Sequence, residues 1–210
     1  NRILVIGHSN IGDAVLMSPV IEQLHVRDPQ AHLTLVVGER AQPLFRDDPR
    51  VHRLLCMDDF SGWAGRLRLV GLVWTLRPGL LIDLRQTLLP VVWRPWRLWR
   101  YWWPMPKSIT HMRARHLWKV SRQASPLHEP AAGENGSAVW IAPEDRATVD
   151  RLLTRWNLSA GRPLVVICPG ARSHIKRWEA SRFAALANRL IEEMHVEVVL
   201  TGEPDEGPLI

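Results

Sequence analysis

Residues 3–19, ILVIGHSNIGDAVLMSP, decide the fold. The run Ile3-Leu4-Val5-Ile6 is apolar at every position, as in a strand covered on both faces of a parallel sheet. A short loop of Gly, His, Ser and Asn follows. From Asp13 the period changes, and Leu16, Val20, Ile21 and Leu24 share one face of a helix. Strand, polar loop and helix in that order open an α/β unit. Ligands of such sheets bind beyond the carboxyl ends of the strands, so the loop 7–13 is the first place to look for chemistry.

The alternation continues downstream. Leu33–Val37 reads as a second strand, Gln42–Arg46 as a short helix or turn, and Val51–Leu55 as a third strand. Arg66–Leu76 has helical spacing stopped by Pro78-Gly79, and Leu80–Leu84 is a further strand. Strands alternating with helices predict an α/β fold with a parallel sheet covered on both faces. Residues 86–107 break the pattern with prolines among tryptophans, and Ile109–Ala124 returns to helix. Ala138–Ile141 reads as a short strand. Pro143 suits a first helical position, with Val149, Leu152, Leu153 and Trp156 as that helix's buried stripe. A boundary near Asn157–Arg162 divides the chain into domains 1–157 and 158–210. In the second, strand Leu164–Cys168, helix Glu179–Met194 and strand Val196–Leu200 begin another Rossmann-like alternation. That helix turns Phe183, Leu186, Ala187, Leu190, Ile191 and Met194 to the core.

Composition narrows the partners. A net charge of +6 over 210 residues points to an anionic partner without choosing among nucleic acid, phosphorylated sugar and membrane. Two distant cysteines, Cys56 and Cys168, make neither a disulfide framework nor a zinc knuckle. No apolar stretch reaches the roughly 18 residues of a spanning helix. Gly7 and Gly12 have Walker A spacing, but Asp13-Ala14 stands where Lys-Ser/Thr is needed. His111 and His116 lie too far apart to share a helix face, and neither HExxH nor Asp-x-Asp occurs, so no metal is expected.

Three loops follow strands: 7–13, 169–177 and 201–208. Asp13 has two readings, a first-turn residue that satisfies free amides or a carboxylate aimed as a general base. The stretch CPGARSHIKRW, 168–178, reads as an anion cradle, with glycine for close backbone approach and lysine for charge, or as a basic surface loop. In TGEPDE, 201–206, Glu206 either accepts ribose hydroxyls or is a solvated acid.

Taken together, ILVIGHSNIGDAVLMSPVIEQL, VVICPGARSHIKRWEASRFAALANRL and VEVVLTGEPDE resemble glycosyltransferase family 9, the bacterial heptosyltransferases of lipopolysaccharide assembly. Order and spacing agree over most of 1–58 and 163–206. The resemblance implies a GT-B fold, two Rossmann-like domains with parallel sheets and the active site in the cleft. The second domain would be incomplete here. The first would bind the acceptor and the second the nucleotide sugar. It further implies inverting, metal-independent transfer from a nucleotide-diphosphate sugar, typically ADP-heptose, as co-substrate with no bound cofactor. Asp13 matches the family's catalytic aspartate. Lys176 matches the lysine on the donor diphosphate, with Pro169, Gly170, Ala171, Arg172, Ser173, Thr201, Gly202 and Glu206 around the donor. Ser9, Asn10 and Gly12, with Arg85, Arg113 and Arg115, would meet the acceptor; solvated arginines are the alternative for the last three. The family's later Asp-x-Gly-x-x-His segment has no counterpart before Ile210, so a fragment of a longer chain is expected.

WRPWRLWRYWW, 93–103, is unlike the family. It reads as an aromatic cluster beneath a loop, as a nucleic-acid stacking platform, or as an interfacial anchor through Trp96, Trp99, Arg100, Trp102 and Trp103. The anchor is favoured, because an enzyme acting on an anionic lipid-linked saccharide works at a membrane. The expected location is cytoplasmic, peripheral on the inner face of the bacterial cytoplasmic membrane, with no nucleic-acid partner. The competing assignments are another GT-B enzyme, such as a sugar-nucleotide epimerase, and a non-catalytic basic membrane- or nucleic-acid-binding protein.

Overall fold

The computed structural model describes residues 1–87, 89–95, 105–124, 139–158, 161–171, 174–203 and 206. The chain divides into two units, Asn1–Ala142 and Pro143–Ile210. The helix that starts at Pro143 therefore groups with the second unit, whereas the sequence reading counted it in the first.

In the first unit four strands, β1 (Arg2–Ile6), β2 (His32–Val37), β3 (Arg53–Cys56) and β4 (Leu80–Asp83), form one parallel sheet in the order β3-β2-β1-β4. The helices are α1 (Ile11–Arg27), α2 (Gly62–Leu76), α3 (Leu89–Trp93) and α4 (Met112–Ala124), with a 3₁₀ turn at Glu39–Leu44. Side chains of one strand point alternately to the two faces. Ile3, Val5, Leu33, Leu35 and Ile82 pack with Ala14, Met17, Val20, Ile21 and Leu24 of α1 and Val120 of α4. Leu4, Ile6, Val36 and Leu81 pack with Leu69 and Val73 of α2 and Leu89 of α3. Both faces are dry, which is why the strands are apolar throughout; each fully buried Leu, Ile or Val contributes about 1.5–3 kcal/mol. Helix α2 ends where Arg77 turns left-handed, at φ 44°, and its amide donates to Val73 O at 2.9 Å; Pro78 follows.

In the second unit α5 (Pro143–Arg155) precedes β5 (Leu164–Ile167), α6 (Ala180–Met194) and β6 (Glu197–Leu200), and β5 pairs parallel with β6. Pro143 opens α5 with Glu144 and Asp145 in its first turn, as the sequence indicates. Three expectations are corrected. No strand forms over residues 139–141. The apolar stripe of α5 is not buried among the described residues: Val149, Leu152 and Trp156 are exposed. Nor is the stripe of α6, where Leu186, Ile191 and Met194 are exposed. The spacing correctly groups these residues on one face, but two short strands offer too little surface to cover two helices.

Candidate active site

The strand order locates the site. From β1 the chain builds outward through β2 and β3, then crosses to the other side of β1 to add β4. The switch point of the first sheet therefore lies beyond the carboxyl ends of β1 and β4, where doubly wound sheets bind ligands.

The loop after β1 is held tightly. Gly7 N donates to Val36 O at 2.8 Å and Gly38 N donates to His8 O at 3.3 Å. A Cβ on Gly38 would lie 2.7 Å from Ser9 Cα and 2.4 Å from Ser9 Cβ, so only glycine lets the loops after β1 and β2 approach this closely. Helix α1 starts from Asn10, which caps it with extended backbone but no side-chain hydrogen bond to an amide. Asp13 sits in the first turn, half-buried. Its Oδ2 accepts from Asn10 Nδ2 at 3.2 Å, and no backbone amide donates to it, so it does not cap the helix. Gly12 faces open space, and a Cβ there would touch nothing within 4 Å.

The turn after β4 supplies the cations. Asp83 is buried and accepts from Arg85 N at 3.0 Å and from Thr87 Oγ1 at 2.8 Å. Burial raises its pKa above the ordinary carboxylate range, opposed by the bonds from Thr87 and Arg85 and by the nearby Lys119. The turn, with Gln86 at φ 58°, directs Arg85 so that its Nη1 donates to Ser9 Oγ at 2.9 Å. Helix α4 closes the back of the site. Lys119 Nζ donates to Leu84 O at 2.9 Å, and Gln123 Oε1 accepts from Asp83 N at 3.3 Å. Burial lowers the pKa of Lys119, against the attraction of Asp83.

Between these groups lie two imidazoles. His8 and His116 stack with ring centroids 4.9 Å apart, tilted by 52°. His116 is fully buried, and neither of its ring nitrogens has a hydrogen-bond partner; the same holds for His8 Nε2. Desolvation is the main cause that lowers both pKa values, that of His116 to about 4, while the Asp13 carboxylate pulls the other way. Both rings are therefore neutral at pH 7, within electrostatic reach of Asp13.

The structure thus gathers Ser9, Asn10, Asp13 and Arg85, as the sequence suggests, and adds His8, Asp83, His116 and Lys119, which it did not. The available signal was the spacing of His116, Lys119 and Gln123, polar residues on the side of α4 that carries the core residue Val120. Arg115 is exposed but close enough to lower the pKa of His116. Arg113 is exposed, with its amide donating to His111 Nδ1 at 3.3 Å, and nothing joins it to the cluster.

In the second unit the loops after β5 and β6 meet. Thr201 N donates to Ile167 O at 3.0 Å, and Thr201 Oγ1 lies 3.1 Å from Cys168 Sγ. Pro169 is buried, and Gly170 lies against the Glu206 carboxylate so closely that a Cβ would be 2.0 Å from either oxygen. Glu206 Oε2 accepts from Glu203 N at 3.0 Å, so this acid is held in place rather than freely solvated. Arg177 Nη2 donates to Ala171 O at 2.8 Å. Lys176 ends the short 3₁₀ turn His174–Lys176 with its side chain exposed, and Gly202 is exposed as well. Arg172 and Ser173 lie outside the described residues, as do Trp96, Trp99, Arg100, Trp102 and Trp103. Among the described residues no three His, Cys, Asp or Glu converge as metal ligands.

A parallel α/β sheet wound to both sides, with an acid and basic groups beyond its switch point, defines a Rossmann-like unit, and the fold class is that of the GT-B glycosyltransferases. The chain belongs to glycosyltransferase family 9 (heptosyltransferase), whose family model matches residues 93–208, more than half of its length. It is 23% identical to lipooligosaccharide heptosyltransferase 2 of Haemophilus ducreyi over 91% of this chain and 61% of that protein. It therefore spans about three fifths of the length of that curated relative. The crystal structure of a family 9 glycosyl transferase from Veillonella parvula superposes with a TM-score of 0.72 at 20% identity, over 99% of this chain and 64% of that one. The ADP-heptose LPS heptosyltransferase II of E. coli gives 0.68 at 21% identity, over 100% of this chain and 66% of that one. At these identities the structural likeness speaks to the fold.

Proposed function

We propose that the protein is an inverting, metal-independent glycosyltransferase that moves heptose from ADP-heptose to a lipopolysaccharide-type, lipid-linked saccharide. The observation that carries this reading is Asp13. In a chain of this family, its carboxylate stands beyond β1 at the switch point, free of any capping bond to the backbone. The family and the names of the two heptosyltransferase relatives support heptose; the name of the E. coli enzyme supports ADP-heptose as its donor form.

In the proposed step Asp13 takes the proton of the acceptor hydroxyl as its oxygen bonds to the anomeric carbon. The bond from that carbon to the diphosphate oxygen breaks on the opposite side, and its electron pair leaves with the nucleoside diphosphate. Lys176 and the backbone of 169–173 bind the diphosphate and offset the charge that grows on it, a contribution typically among the largest in such departures. Glu206 accepts hydroxyls of the donor. Ser9, Asn10 and Gly12 admit the acceptor, and Arg85 and Arg115 meet its anionic groups. Arg113 retains that role only as a weaker candidate. The enzyme would work in the cytoplasm on the inner face of the membrane, touching it through the Trp/Arg segment; among the described residues no helix is long and apolar enough to cross one.

The test is transfer from a panel of nucleotide sugars, with donor binding measured in parallel. Asp13→Asn should lower turnover by about 10²–10⁴ and leave donor affinity intact, the range for loss of a general base. Lys176→Ala should weaken donor binding. Turnover by Asp13→Asn within a few-fold of the unaltered protein would remove Asp13 from the chemistry.

A further inference from the structure

Helix α2 is apolar on both sides. Its inner side is explained by the sheet, where Leu69 and Val73 are buried. Its outer side is not. Trp63 is 79% exposed, Leu67 60% and Trp74 55%. At 100° per residue these three fall within a narrow stripe opposite the buried side, with Val70 and Gly71 beside them. Arg66 and Arg77 line one flank of the stripe and Arg68 the other, and all three are exposed. No acid occurs anywhere in α2.

The stripe continues onto α3. The Trp74 ring meets Trp93 edge to face, with centroids 5.4 Å apart, and Arg94 lies over the same Trp93 ring at 5.8 Å. Trp93 Nε1 donates to Pro78 O and Arg94 Nη1 to Gly79 O, so α3 is fastened to the end of α2. Val92 beside them is exposed. The cations that border this face are Arg66 and Arg68 on α2, Arg77 at its end and Arg94 after α3, and neither helix carries an acid. At the Arg68 flank, Arg68 Nη2 donates to Asp59 O at 2.8 Å, just ahead of α2 where Asp58 and Asp59 are exposed.

We infer that the outer face of α2, continued by Val92 and Arg94, is a docking surface for an anionic lipid bilayer. This deepens the membrane contact proposed above and depends on it only for the lipid-linked nature of the acceptor. Indole rings favour the boundary between headgroups and acyl chains, Leu67 and Val92 enter the apolar side, and the flanking arginines meet anionic headgroups. Nucleic acid fits less well, because a stacking platform has no use for aliphatic side chains between its rings. A second copy fits less well too, because a two-fold contact would set these arginines against their own equivalents.

Flotation of the purified chain with vesicles of phosphatidylglycerol and phosphatidylcholine, against pure phosphatidylcholine, tests this. The unaltered chain should bind the anionic vesicles, less at high salt. Trp63→Ser/Leu67→Ser should lose about tenfold or more in partition, with unchanged circular dichroism and melting. Arg66→Gln/Arg77→Gln should lose about fivefold per charge. The surface is refuted if Trp63→Ser/Leu67→Ser floats like the unaltered chain, or if it changes only self-association. It is refuted equally if a single-stranded oligonucleotide binds and the vesicles do not. Vesicle binding that the double variant abolishes, in a chain with no affinity for nucleotide sugars, would uphold the surface and overturn the transferase reading alone. Donor affinity without vesicle binding would do the reverse.

Discussion

Replacing His116 with phenylalanine should stabilise the protein, and more so in acid. His116 is fully buried, and both its nitrogens lack partners. A buried polar group left unbonded costs about 1–3 kcal/mol, which His116→Phe relieves at pH 7. The second part comes from titration. Burial lowers the pKa from 6.5 to about 4, so the folded protein resists a proton that the unfolded chain accepts. Stability from this residue is complete above pH 6.5 and is lost as pH falls toward 4, at about 1.4 kcal/mol per unit and about 3 kcal/mol in all. The groups facing the ring are His8 beyond β1, Asp13 on α1, and Arg115 and Lys119 on α4; only Asp13 favours the charged form. Urea unfolding of both proteins at pH 7 and pH 5 gives the answer. The stability difference should widen by about 2 kcal/mol between the two pH values. A packing penalty from the larger ring would be constant with pH and leave that widening intact. A difference independent of pH would refute the burial of a neutral imidazole here.

Two further substitutions probe the frame around the site. Arg50 is buried, bonded bidentately to Asp48 and paired with Glu22 on α1. Arg50→Met strands the Asp48 carboxylate and should cost about 3–5 kcal/mol in urea unfolding. Gly38→Ala forces apart the loops after β1 and β2 at Ser9; it should cost about 1–3 kcal/mol and weaken acceptor binding, read by unfolding and by KM for the acceptor.

The sheet was legible because its strands are buried on both faces, so each appears as an unbroken apolar run between loops. The place of Arg85 was legible because it follows β4 directly, and that of Asp13 because a short loop joins β1 to the first turn of α1. The His8–His116 pair was not, since it joins residues more than a hundred positions apart through the packing of α4 on α1. The apolar faces of α5 and α6 show the other limit. Periodicity tells which side chains share a face and is silent on whether anything covers it, and the same silence hid the outer stripe of α2.

The stretch between Arg94 and Met112 has fixed moorings at both ends. Before it, Trp93 and Arg94 are tied to Pro78 and Gly79; after it, Lys119 and Gln123 are tied to Leu84 and Asp83. All four bonds end on β4 or its immediate neighbours, two at the start of the strand and two at its end. One four-residue strand therefore acts as a clasp for both helices, and a change that frayed it would loosen α3 and α4 together.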